Sequence, residues 1–219
     1  MFHKKILAIA ILSSAILLFP ACKATPDVAD ILKEPLPQNT VNMPKAIYDG
    51  FIKDIQTARK NIADKKNIPD AYITLGMAYK NFKEYEKSFA MYDEEVKLYP
   101  TSIVGWLNRS SILEDMGRYR DSYESYKSAL KVAILPEAYF RMGIILKQNL
   151  NGSDAEIRAL YDEALKNTEY NPMIVENYLA YLVKDKNDAK SADKILNAAL
   201  KAYPRNERFL EIKKSYDNL

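Results

Sequence analysis

The chain has 219 residues, 48% of them hydrophobic and 28% charged, with a formal net charge of +3. That length can bury a sizeable core, while the near-neutral balance, with no basic run, argues against nucleic acid as the main partner. The single His is His3 and the single Cys is Cys22, which excludes an intramolecular disulfide and leaves everything after residue 3 without the commonest general base and transition-metal ligand.

At the N-terminus, Lys4 and Lys5 precede an uncharged stretch of 14 residues, Ile6 to Phe19. A membrane-spanning helix needs about 20 apolar residues, so this stretch is too short to span and fits the apolar region of a secretory signal. It ends Leu18-Phe19-Pro20-Ala21-Cys22. This ending resembles a bacterial lipoprotein signal, in which a small residue precedes the Cys that receives the lipid. The resemblance implies removal of residues 1–21, lipidation of Cys22 and a lipid-anchored location in the bacterial cell envelope, facing the periplasm. Loss of Lys4 and Lys5 takes the formal charge from +3 to +1. Lys23 follows the Cys, rather than the Asp that favours inner-membrane retention in some bacteria. The sequence leaves inner and outer membrane open, with a tilt to the outer.

Residues 22–44 contain Pro26, Pro35, Pro37 and Pro44 and little periodicity. Pro fixes φ and removes a donor, so the expectation is a flexible Pro-rich tether after the lipidated Cys, without a regular element. From 45 to 66, Ile47, Phe51, Ile55, Ala58 and Ile62 fall on one face of a helix. They predict an N-terminal capping helix.

A repeat of about 34 residues fills 69–204. On a first helix, Tyr72, Leu75, Gly76 and Tyr79 open the series. Trp106, Ser110 and Leu113 follow, then Tyr139, Met142, Gly143 and Leu146, then Leu179, Ala180 and Val183. A second helix carries Tyr126 and Ala129, Tyr161 and Ala164, and Leu196 and Ala199. In the first unit Tyr92 is followed instead by Glu95. Ser88, Ser122 and Ala192 stand four residues ahead of the corresponding aromatic or Leu, and the units end near Pro100, Pro136, Pro172 and Pro204. Small residues let paired helices approach, large aromatics fill the space beside them, and each Pro starts the next first helix with a preset φ. One pair cannot bury its own face, so successive pairs must stack. Phe209, Ile212 and Tyr216 make a last stripe, predicting a C-terminal capping helix over 205–219.

These residues resemble the tetratricopeptide repeat, in four units over 69–204. The resemblance implies an all-α fold, a right-handed superhelical solenoid of antiparallel helix pairs. It also implies protein binding rather than catalysis, in a concave groove lined by the first helices. Carried over by register, the partner-binding groove comprises Ile73, Met77, Lys80 and Asn81, then Val104, Leu107, Ser111, Glu114 and Asp115. Phe140, Ile144, Lys147 and Gln148 continue it, followed by Asn177, Tyr181, Lys184 and Asp185. Family members that clamp a terminal carboxylate use Lys and Asn where this chain has Ile73 and Met77. The middle of the groove is therefore apolar and its rim mixed in charge, which suits an amphipathic or extended segment. Tyr72, Tyr79, Tyr92, Tyr126, Tyr139 and Tyr161 occupy packing positions and are expected in the core.

No Gly-rich phosphate loop, HExxH or GxSxG is present. The expectation is no enzyme, no cofactor and no metal, and a protein or peptide partner in the envelope. Capture of a small hydrophobic ligand or lipid, alongside a transport system, is the alternative. The partner, the envelope process and the oligomeric state are left open. Replacing Cys22 with Ser is expected to leave an unlipidated precursor and to release any processed protein from membranes. Labelled palmitate incorporated equally by both versions contradicts the assignment.

Overall fold

The computed structural model describes residues 25–217. The signal-like segment, Cys22 and the side chain of Tyr216 lie outside the described residues. Every regular element among those described is a helix, and the helices stack in successive pairs as a solenoid. A single turn, α1 (Val28–Ile31), precedes the capping helix α2 (Lys45–Ala63). The pairs are α3 (Ile68–Asn81) with α4 (Tyr85–Leu98), α5 (Ile103–Asp115) with α6 (Tyr119–Val132), and α7 (Pro136–Gln148) with α8 (Asp154–Asn167). The last first helix is α9 (Pro172–Ala180), continued by a π-helical turn over Tyr181–Asp185 and paired with α10 (Ala189–Ala202). The terminal cap is α11 (Glu207–Asp217).

Local chemistry sets these boundaries. Pro stands in the first turn of α3, α7 and α9, where its missing N–H costs nothing. Ser102 accepts from the Gly105 N–H to cap α5, and Ser153 with Glu156 forms a reciprocal capping box on α8. Within the first two pairs the turn needs one left-handed residue. Gly117, at φ +70°, supplies it between α5 and α6, and Lys83, at φ 59°, supplies it between α3 and α4. Both turns close the same way, with Glu84 N–H donating to Tyr79 C=O and Arg118 N–H to Leu113 C=O.

Helix crossings inside the pairs are tight. A Cβ placed on Gly76 would lie 2.5 Å from the Tyr92 ring, and one on Gly143 would lie 2.7 Å from the Tyr161 hydroxyl. Ser88 Oγ donates to the Gly76 carbonyl at 2.7 Å, so the small residue on the second helix also bonds across the crossing. All six core tyrosines expected from the sequence are buried.

Glu95, where the repeat has Ala, is fully buried, and neither carboxylate oxygen has a hydrogen-bond partner. The structure accommodates it through the next repeat: a Cβ on Gly105 would lie 1.7 Å from Glu95 Oε2. Burial, with a smaller contribution from the Asp70 charge, holds this carboxyl above its ordinary value of 4.5, and the Ser102 hydroxyl opposes the shift only in part.

Three expectations are corrected here, the last of them at Ile47. The Pro-rich segment is not a free tether over residues 27–43. Asp27 caps the α1 turn, Ile31 is fully buried, and Val28, Leu32, Leu36 and Met43 pack around the α2–α4 core. Arg59 donates to the Glu34 and Ile31 carbonyls at 2.6 and 2.9 Å, and Tyr48 OH to the Pro37 carbonyl at 3.0 Å. The apolar residues between the prolines are the reason: burying Ile31 contributes about 1.5–3 kcal/mol, and Val28, Leu32, Leu36 and Met43, with the Arg59 and Tyr48 hydrogen bonds, add to it against the entropy cost of ordering the strap.

The second correction concerns the last repeat. Val175, Tyr178, Leu179 and Leu182 are buried, whereas Ala180, expected at the close crossing, is exposed. The packing register thus runs one residue earlier than the spacing implied, and the π-helical turn follows directly. A one-residue slip rotates a helical face by about 100°. In α2, Ile47 is exposed, and Tyr48 and Ile52 pack in its place.

Replacing Gly76 with Leu is expected to overpack the Tyr92 crossing and to cost roughly 1–3 kcal/mol. A melting curve lowered well beyond that of Lys131→Ala is the expected readout. For Glu95, the folded state keeps its proton to higher pH than the unfolded chain, so this residue makes stability fall as pH rises above about 4.5. Glu95→Gln removes that contribution. Relative to the parent, the variant should gain stability on the order of 1 kcal/mol between pH 4 and pH 7.5. Taking the difference cancels Asp93, whose pKa is held down despite its burial by Lys97 and Arg109.

Candidate partner-binding face

Three first helices, α3, α5 and α7, present positions five and nine of their repeats away from the paired second helix. Ile73 and Met77 come from α3, Leu107 and Ser111 from α5, Phe140 and Ile144 from α7. Met77 is 50% exposed. Ile73 packs in part on the small cluster of Phe89, Tyr92, Ile112 and Leu113, while Leu107 and Phe140 rest in part on the C-terminal core. Ile144 and Ser111 are half-buried. The row is thus apolar and accessible on one side, with its underside already used in packing.

Charged pairs tie each first helix to the next along this row. Lys80 Nζ lies 2.8 Å from Asp115 and donates to Ser111 Oγ at 2.9 Å, joining α3 to α5. Arg141 pairs with Glu114, joining α7 to α5, and Glu114 also accepts from Tyr126 OH at 2.8 Å. Burial, then the Glu114 charge, raises the Tyr126 pKa. Lys147 pairs with Asp185 of the π-helical turn. Asn81 Nδ2 caps this end of α3 on the Met77 carbonyl at 2.9 Å. The partners are fixed mainly in i to next-repeat pairs, which keeps the spacing of the apolar row constant.

The fourth unit departs from the expected set. Tyr181 is only 3% exposed, its ring 6.3 Å from that of Tyr161 and its hydroxyl donating to Asp154 at 2.6 Å. It is a core residue and is corrected as a groove residue; the one-residue slip and the π-helical turn carry it inward. Lys184 is exposed beyond it. In the corrected register Glu176, Ala180 and Val183 take the positions given to Asn177, Tyr181 and Lys184. Among the described residues, no group of three His, Cys, Asp or Glu could hold a metal ion, and no helix is long and apolar enough to cross a membrane.

Sequence reasoning placed functional weight on the first helices and missed a cleft of about 470 Å³ between α6, α7 and α8, on the side formed by the second helices. The available signal was Ile134, an apolar residue after α6 that the repeat's own packing does not use.

The sequence profile of the tetratricopeptide repeat matches residues 69–102 and 104–133, the segments that fold as α3–α4 and α5–α6. No curated protein matches this chain. The two matched units are similar to a repeat whose usual work is protein interaction, and α7–α10 extend the same stacking with departures that the profile does not reach.

Proposed function

We propose that this protein is a lipid-anchored, periplasm-facing adaptor that binds a peptide segment of an envelope protein along its first-helix face, and that it is not an enzyme. The observation that carries the reading is the apolar row Ile73, Met77, Leu107, Phe140 and Ile144, accessible on one side and bordered by the Lys80 and Lys147 ion pairs. An amphipathic segment laid along the row gains apolar burial in its middle and charged contacts at its edges. The anchor rests on the signal-like segment ending at Cys22. Anchoring adds a second function to binding: it concentrates the partner at a membrane surface.

Met77 is the variant of choice, because Leu107 and Phe140 also support the core. Burying such a side chain against a partner contributes about 1.5–3 kcal/mol before the cost of association. Met77→Asp is therefore expected to weaken partner capture at least tenfold with unchanged helical circular dichroism. Lys184→Glu should act less, and mostly at low salt. Crosslinking in the native cell, followed by pull-down with each variant, makes the comparison. Full retention of every partner by a folded Met77→Asp protein rules out this face.

A further inference from the structure

The cleft between α6, α7 and α8 has an occupied counterpart in the same molecule. Two positions of repeat register toward the N-terminus, the strap lies between α2 and α4 over α3. The correspondence is residue by residue. Tyr72, Ala90 and Glu94 border the strap, and Tyr139, Ala159 and Glu163, at the same repeat positions, line the open cleft. The first groove is occupied in part by Val28, Ile31 and Leu32, an apolar group on one turn of helix, with an open cavity of about 530 Å³ left between Val28 and Leu32 and the residues Tyr72, Ala90 and Glu94. The second has an apolar floor of Met142, Leu146 and Leu160, and Leu130 and Ile134 form one wall, with Ile134 59% exposed. Its volume falls in the range of about 300–1,000 Å³ usual for binding clefts.

Charge tells the two grooves apart. In the strap's groove, Lys87 of α4 lies 2.5 Å from Glu34 of the strap. The same position of α8 is Glu156. The α8 side of the cleft thus carries Glu156 and Glu163, and the α6 side carries Arg120, Lys127 and Lys131. A second copy's strap would bring Glu34 against Glu156, so the occupant is a different sequence.

We propose that the α6–α7–α8 cleft is a second docking site, for a short amphipathic helical segment of a protein partner. That segment carries two apolar residues three or four positions apart, which enter beside Ile134. A basic side chain on it faces Glu156 and Glu163, and an acidic one faces Lys127 and Lys131. The site is separate from the first-helix row. On α7, Tyr139, Met142 and Leu146 face the cleft, whereas Phe140 and Ile144 belong to the row. An array with both sites filled holds two partner segments on opposite sides of one pair of repeats.

The test uses a displayed library of random 12-residue peptides, selected on the purified full chain. Enriched peptides are then synthesised and titrated by fluorescence polarisation against the parent, Ile134→Asp and Met77→Asp, each first checked by melting curve. Enriched peptides with the stated pattern should lose at least tenfold in affinity on Ile134→Asp and change less than twofold on Met77→Asp. Lys131→Glu should weaken them several-fold at low salt and less at high salt. The proposal is overturned if no enriched peptide depends on Ile134. It is overturned equally if the Ile134-dependent probe is a synthetic strap peptide, residues 25–37, or a twelve-carbon fatty acid, since these identify a second copy or a small amphiphile as the occupant. A loss confined to Met77→Asp supports the first-helix site alone and also overturns the second.

Discussion

The distance at which two helices of a pair can cross governs everything else in this structure. Gly76 against Tyr92, and Gly143 against Tyr161, leave no room for a Cβ, so the backbones sit close and the rings spread sideways over them. Ser88 then reaches the Gly76 carbonyl, which fixes the sliding of one helix on the other. Once a pair is locked, its outer faces point in set directions, and the next pair meets them at a repeated geometry. Between pairs the same rule is met differently. Glu95 is too large for its position, and Gly105 of the following helix gives up its side chain to admit it. The cost is a buried carboxyl with no hydrogen-bond partner, a group that becomes harder to keep as it loses its proton.

Much of this was legible in the sequence. Period, helix pairing, the core tyrosines and both caps follow from apolar spacing, because the same face must be buried in every unit. Three features were not legible, each for a physical reason. The register of α9 was obscured because Leu179-Ala180 imitates the Leu75-Gly76 pair of the first unit, although Glu176 at the aromatic position, with Val175 just ahead of it, was a signal for a register one residue earlier. The π-helical turn at Tyr181–Asp185 absorbs the extra length of that unit, a local change in hydrogen bonding that leaves no compositional trace. The strap was hidden by its prolines. They forbid long helices, yet they leave Val28, Ile31 and Leu32 free to form one turn and bury it.

The two faces of the array differ in how they are built. The first-helix row is supported by ion pairs that run from one repeat to the next, Lys80 to Asp115 and Lys147 to Asp185, so its shape depends on the stacking of pairs. On the second-helix side the open cleft has an apolar floor, Met142 and Leu146 from α7 and Leu160 from α8. The strap shows that such a groove accepts a single helical turn when the borders match in charge. The two equivalent grooves differ in charge at one position, Lys87 in the first and Glu156 in the second.

Docking of the strap also sets a geometric limit on any attachment made at Cys22. With residues 27–43 held against α2–α4, only residues 23–26 lie between Cys22 and the folded array. The five Cα-to-Cα steps from Cys22 to Asp27 span at most about 18 Å however they are arranged. A lipid on Cys22, if the protein carries one as proposed, would keep the start of the folded array within that distance of the bilayer surface. The strap, by docking, thus turns a segment that composition alone would make a long spacer into part of the folded body.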